Sequence, residues 1–340
     1  MEQIKKILKD LCDGFSVSGH ELYGKEVIEK LAGGIFDEVR TDNLGNFILV
    51  KKSNKENAKK LLIDAHFDTV GMMVSQIKDG GFLKFVEVGG LDASVLPSTE
   101  VIIHGKEDVY GIITSTPPHL KVAGTGTPKL EDLMIDTGYS KERLEELVWV
   151  GAPVCFKNNV DFIYGNNVTS AGLDDKACLC AIFDAVSKMD KDNMAYNVYV
   201  TASAQEETGK CGPARASFEI EPDIAIITDV NFAKMEKGED FESIEMGKGA
   251  GIDISSLVDR KLTRSIRELL DSKGINYQIV CEPTRTGTNN DALSISSFGV
   301  RTALMSIPLR SMHTPSETVN LGDIKSLSSI LLAVATKEEL

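Results

Sequence analysis

The chain has 340 residues, 42 % of them hydrophobic and 26 % charged, which is a globular composition rather than a disordered or fibrous one and is too long for one typical domain. Its 37 basic and 51 acidic residues leave a net charge of −14, which repels nucleic acid and anionic membrane surfaces. No stretch approaches the roughly 18 apolar residues of a membrane span, and the charged amphipathic start lacks a signal peptide's apolar region, so a cytoplasmic protein is expected.

Residues 2–13 and 20–32 show helical periodicity, separated by Ser16-Val17-Ser18-Gly19. Val39 to Val50 reads as two strands around an Asn/Gly turn, followed by the polar loop 51–59 and the buried strand Leu61-Leu62-Ile63. That strand delivers Ala65-His66-Phe67-Asp68 to its carboxyl end, where open α/β sheets build their sites. A lone histidine there is more often structural. Asp68, two residues on, can accept the second imidazole N–H or brace the loop, the arrangement that orients a metal-binding histidine.

From 70 to 163 the texture changes to short strand-like runs at 82–88, 100–105 and 109–113 with frequent turn residues, which predicts a small β-barrel inserted into the main domain. Gly124 to Pro128 reads as a mobile loop and 130–133 as a short helical turn. His104 and His119 lie here and are expected to be structural, since neither has an acidic partner at a strand end.

The main domain resumes near Tyr164. Ala171 to Lys176 opens an apolar helical segment running to about Met189, and its two aspartates, Asp174 and Asp175, exceed what one helix start needs. Strand 196–204 then ends abruptly in Glu206-Glu207. Neighbouring strand residues point to opposite faces, so two adjacent carboxylates converge only where the strand gives way to a loop, as Thr208-Gly209 suggests. Two such acids need a counter-charge, and a metal cluster is the simplest source. Candidate ligands recur at strand ends: His66, Asp68, the Asp174-Asp175 pair, Asp229 after strand 223–228, and His313 after strand 302–307. Helix 261–273, strand 276–280, the polar loop 287–292 and helix 322–339 complete the pattern. Strands alternating with helices indicate an α/β fold with a mixed, largely doubly wound sheet, built from 1–69 and 164–340 around the insert 70–163. Six cysteines without paired spacing read as reduced thiols.

The ordered set Ala-His-Phe-Asp-Thr-Val-Gly, Leu-Asp-Asp-Lys, Gln-Glu-Glu-Thr-Gly, Thr-Asp-Val and Arg-Ser-Met-His-Thr-Pro-Ser-Glu resembles the dinuclear-metal aminopeptidases of the glutamyl, deblocking and tetrahedral family, some of which carry a cellulase label. The likeness covers nearly the whole chain, including Val88-Gly89-Gly90 and Thr116-Pro117-Pro118-His119 in the insert. It implies a zinc-peptidase-like main domain, with the insert as a PDZ-like lid and oligomerisation domain. It also implies His66, Asp174, Glu207, Asp229 and His313 as metal ligands, with Asp174 bridging, Glu206 as general base and Asp68 behind the ligands. The partners implied are short peptides and further copies of the chain, commonly a dodecamer built from dimers.

Elementary charge counting agrees with that transfer. Two divalent ions bring four positive charges; Asp174, Glu207, Asp229 and a hydroxide neutralise them, which leaves Glu206 free as a base. Imidazole and carboxylate ligands suit zinc, the default, or cobalt or manganese. Competing readings are an acyl-amino-acid or carboxypeptidase-type amidohydrolase, a glycosidase, and an inactive oligomeric scaffold. A glycosidase would need a free carboxyl pair and an aromatic sugar platform, and the only tryptophan, Trp149, lies in the insert. The chain departs from the family pattern at Thr69, at Lys176-Ala177 and at Asn289-Asn290; the last pair is expected near the substrate end.

Overall fold

A computed structural model describes residues 1–114, 128–234 and 243–340. Residues 1–66 form α1 (Glu2–Asp13), α2 (Lys25–Ala32), β1 (Glu38–Thr41), β2 (Phe47–Lys51) and β3 (Lys59–His66). Next come β4 (Gly71–Ile77), β5 (Phe82–Val88), β6 (Glu100–His104), β7 (Asp108–Ile113), β8 (Ile135–Asp136), α3 (Lys141–Leu147) and β9 (Pro153–Phe156). The chain continues through β10 (Asp161–Ile163), β11 (Asn167–Ser170), α4 (Leu173–Ser187), β12 (Tyr196–Ser203), α5 (Glu206–Gly209), α6 (Cys211–Ile220) and β13 (Ile224–Phe232). It ends with β14 (Gly251–Ser255), α7 (Arg260–Lys273), β15 (Gln278–Glu282), α8 (Asn290–Leu293), β16 (Thr302–Leu309), β17 (Glu317–Asn320) and α9 (Leu321–Ala335).

The apolar runs of β3, β12, β13 and β16 become the middle of an eight-stranded sheet of order β1-β2-β12-β3-β13-β16-β14-β15. The four central strands are parallel to one another, while β2 and β14 join them antiparallel, which makes the sheet mixed. Near-continuous apolar sequence is what strands covered on both faces require. In β3, Leu61, Ile63 and Ala65 face a core shared with α1, α4, α7 and α9. Leu62 points the other way, into a smaller core with Ala216 and Ile220 of α6 and Leu293 of α8. Each buried Leu or Ile of this strand contributes about 1.5–3 kcal/mol, so the strand carrying His66 is among the best anchored.

Strands β4 to β9 close into an antiparallel barrel of order β4-β5-β8-β7-β6-β9. It has its own apolar core, including Met72, Leu83, Val101, Ile113 and Val154, so the mixed α/β fold with an added barrel matches the sequence expectation. A third sheet, β10-β11-β17, pairs Asn167 with Asn320. None of its strands was expected, because each is three or four residues long and is paired only through distant sequence. Helices α3 and α6 were also missed; α6 opens on Gly212-Pro213, which breaks the helical pattern although proline is tolerated in a first turn. Gly124 to Thr127 and Thr116 to His119 lie outside the described residues. No helix among those described is long and apolar enough to cross a membrane.

One buried acid lies away from the candidate ligands. Asp253 of β14 accepts from Ser306 Oγ at 2.9 Å and is fully enclosed, and burial together with the Glu282 charge raises its carboxyl to about 8. The folded chain therefore keeps a proton that the unfolded chain releases near pH 4. This contribution to stability is full below about pH 4, shrinks as pH rises and is gone above about 8. Asp253→Asn removes the titration, so thermal melts at pH 5 and pH 8.5 should differ less in the variant than in the parent, by about 3 °C or more.

Candidate metal centre

The candidate residues reach one place by different local devices. β3 ends at His66, and β12, parallel to it, ends at Ser203 beside it. Gln205 then adopts φ +59° and turns the chain into α5, so Glu206 and Glu207 occupy a first helical turn and not the expected loop. Their two backbone N–H groups donate to Asp68, Glu206 N to Oδ1 at 3.0 Å and Glu207 N to Oδ2 at 3.2 Å. Asp68 thus acts chiefly as the brace of the two alternatives. His66 Nδ1 lies 2.8 Å from its backbone oxygen and 3.8 Å from its carboxylate.

Asp229 projects from inside β13, three residues before the strand ends, and not from the strand end expected. Asp174 stands where the chain enters α4, after Gly172 at φ +67°; a Cβ on Gly172 would come within 2.9 Å of the Thr69 side chain. His313 follows β16 in the segment leading to β17.

These placements bring together two sets of three potential donors, each set lying within 4.8 Å: His66, Asp174 and Asp229, and Asp174, Glu207 and His313. Asp174 belongs to both. His66 Nε2 is 3.0 Å from Asp174 Oδ1 and 3.8 Å from Asp229 Oδ1, while His313 Nε2 is 3.4 Å from Asp174 Oδ2 and 3.4 Å from Glu207 Oε2. Glu207 Oε1 is buried with no hydrogen-bond partner.

The electrostatics describe a cluster short of positive charge. Burial raises Glu207 and Asp229 well above the ordinary carboxylate range, and the Asp174 charge adds to it. Asp174 itself is held low, because the His313 and His66 hydrogen bonds outweigh its burial. His313 rises to about 9, first through its hydrogen bond to Asp174. For His66, burial opposes charge, yet the Asp174 bond and the Asp174 and Asp229 charges lift it well above normal. Burial also raises Glu206, with His66 and Lys210 opposing. Bound divalent cations would reverse this balance by favouring every carboxylate as an anion and both imidazoles as neutral. The donor set, its spacing and the orphaned Glu207 oxygen therefore fit divalent metal.

Other expectations fared differently. His104 does have an acidic partner, Asp108 Oδ1 at 2.7 Å across the β6–β7 hairpin, but it stands apart from both donor sets. Asn289 is 1 % exposed and donates to Asp64 Oδ2 at 2.8 Å and Ser203 Oγ at 2.9 Å, so its side chain is engaged inside the fold. Thr69 pairs with the 16–18 segment through its backbone, N to Ser16 O at 2.9 Å, and so holds the chain just beyond Asp68.

Two contributors were missed. Glu317, fully enclosed, accepts from His313 N at 2.7 Å and Asp174 N at 3.1 Å, and thereby sets the backbones under both residues. Its sequence signal was its place four residues after His313. Gly90, in the loop after β5, offers its carbonyl 3.0 Å from His313 Nδ1, so the barrel segment orients a candidate ligand.

The chain matches the M42 glutamyl aminopeptidase family over residues 45–330. It is 31 % identical over 342 residues to a lysyl aminopeptidase of Pyrococcus furiosus, covering 98 % of this chain and 97 % of that one. Among solved structures, it resembles a TET aminopeptidase of Thaumarchaeota archaeon SCGC AB-539-E09 with a TM-score of 0.92 at 25 % identity, covering 100 % of this chain and 97 % of that chain. It also resembles a Pyrococcus horikoshii TET1 peptidase, described as assembling into a tetrahedron or a large octahedral shell, with a TM-score of 0.86 at 28 % identity over 98 % and 99 % of the two chains. The chain belongs to the M42 glutamyl aminopeptidase family and is a metal-dependent aminopeptidase.

Glu317→Gln replaces one backbone-binding oxygen with an N–H donor that opposes the N–H of His313 or Asp174. Divalent-metal affinity, read by chelator competition, should weaken about 10-fold or more.

Proposed function

We propose that this M42 family member removes amino-terminal residues from short peptides at a centre formed by His66, Asp174, Glu207, Asp229 and His313. The observation that carries this reading is the pair of three-donor sets sharing Asp174, the pattern expected of two divalent ions with one bridging carboxylate. Zinc is the default occupant of such mixed ligands, with cobalt or manganese as alternatives. Such ions supply a water of lowered pKa and polarise the scissile carbonyl.

The chain's own residues do the rest. Glu206, outside both donor sets and half-buried, takes the proton of the attacking water and returns it to the leaving amine. A carboxyl raised by burial suits that exchange near neutral pH. Asp68 holds the Glu206 and Glu207 backbones, which fixes the base relative to the ligands. Glu207, whose Oε2 lies 3.4 Å from His313, is engaged within the cluster, which leaves Glu206 without the free partner a glycosidase needs.

The insert 70–163 serves in this reading as a lid and assembly element over the main domain of 1–69 and 164–340, and Gly90 beside His313 supports that role. The tetrahedral or octahedral assembly of the P. horikoshii relative supports a homo-oligomer, a dodecamer by family analogy. Six free cysteines fit the reducing cytoplasm.

The decisive assay compares aminoacyl chromogenic amides with their N-acetylated counterparts before chelation, after it, and after return of zinc, cobalt or manganese. Release from free-amine substrates alone, lost with chelator and restored by one metal, is the expected result. Turnover of acetylated substrates would replace this reading with an acyl-amino-acid hydrolase. Glu206→Gln should retain its metal content by elemental analysis while kcat falls at least about 100-fold, and near-normal kcat would remove Glu206 from the base role.

A further inference from the structure

The first part of α7 and the carboxyl ends of β14 and β15 enclose a cleft of about 620 Å³. Because β14 runs antiparallel to β16, these strand ends point away from the side where β3, β12, β13 and β16 end. None of the cleft residues belongs to the metal centre. The volume lies within the range of small-molecule sites.

The lining combines two chemistries. Arg260, Arg264 and Arg267 follow a helical spacing that puts all three on one face of α7, and Ile254 and Val258 supply apolar wall. Among the described residues, Arg260 and Arg264 form no ion pair; the neighbouring pair at the helix start is Arg301 with Asp259. Arg267 is half-buried and already held by Tyr277 and the Asp271 charge, although its Nε is buried without a hydrogen-bond partner. The one carboxylate on the wall, Glu282, already accepts from Asn231 Nδ2 at 3.3 Å. On a chain of net charge −14, three guanidiniums over a partly apolar cleft make a local positive field. Guanidinium groups bind carboxylate and phosphate through paired donors, and the apolar wall has room for a hydrocarbon or aromatic body.

We propose that this cleft is a binding site for a small amphipathic anion, an apolar body carrying one carboxylate or phosphate group. Both headgroups can offer two oxygens to the planar guanidinium fork, so the test carries one arm for each. The intact metal-loaded protein is titrated calorimetrically with phenyl phosphate, 3-phenylpropionate, inorganic phosphate and benzyl alcohol. The metal centre can itself bind anions, so location is read separately, from the alkylation rate of Cys281 on the cleft wall against Cys211, both exposed, by peptide mass spectrometry.

Saturable binding of at least one aromatic anion is expected, with slower alkylation at Cys281 and no change at Cys211. The tighter of the two identifies the headgroup. Arg264→Gln and Arg260→Gln, at exposed positions, should each weaken it about tenfold or more, the loss of one charge-assisted contact. Equal binding of benzyl alcohol would overturn the proposal in favour of a merely apolar cleft. So would unchanged affinity in both variants, an unprotected Cys281, or no saturable binding by either aromatic anion.

Discussion

The constraint on which the rest depends is the cost of gathering carboxylates out of water. Asp174, Glu207 and Asp229 share a mostly buried space with Glu206 and Asp68 nearby, and among the described residues His66 and His313 stand against them, with Lys210 at the edge beside Glu206. Like charges this close cannot all ionise in a low-dielectric site without cations. The fold answers with rigid delivery. Four parallel strands, buried on both faces, fix where the acids arrive, and backbone N–H groups fix how they turn. Asp68 accepts from Glu206 and Glu207, and Glu317 accepts from Asp174 and His313. Two carboxylates outside both donor sets thus fix the backbones of three residues within them, and of the base.

What could be read from the sequence follows from this division of labour. The apolar run at 61–63 and the abrupt polar switch after 203 are local signals, and they located His66 and the Glu206-Glu207 pair. Asp229 was found although its strand was drawn short, since the apolar run around it breaks at Asp229 while the backbone ladder continues to Phe232. Glu317 was not found, because its role lies in bonds to residues 143 and four positions away, and no periodicity reports that. The same reason hid β10, β11 and β17, whose pairing joins Asn167 to Asn320. The partners of Asn289 were hidden for a related reason: nothing local to a polar loop reports that Asp64 and Ser203 lie beneath it.

The barrel is tied into this centre and does not merely sit beside it. Gly90 reaches His313 Nδ1, and its neighbour Gly89, at φ +78°, lies where a Cβ would come within 2.8 Å of Val70 and 3.4 Å of Glu207. A bulkier loop would push on the helical turn that carries Glu206 and Glu207. Close approach to Val70 and Glu207, together with the positive φ, therefore explains a glycine at position 89. It also means that any movement of the barrel is felt at His313, whose tautomer that carbonyl helps to select.

Asp174 and Asp175 show how little sequence separation matters to electrostatic fate. They are adjacent and both buried, yet two imidazoles hold Asp174 as an anion, whereas burial and the Asp229 charge push Asp175 well above the ordinary range. Neither Asp175 oxygen finds a hydrogen-bond partner. A neutral Asp175 adds no further negative charge to a cluster already short of cations, while an ionised one would repel Asp229 through a medium that screens poorly. The two aspartates at the start of α4 therefore are not redundant copies of one ligand. One supplies the shared charge, and the other lies behind it with its carboxyl raised by burial and the Asp229 charge.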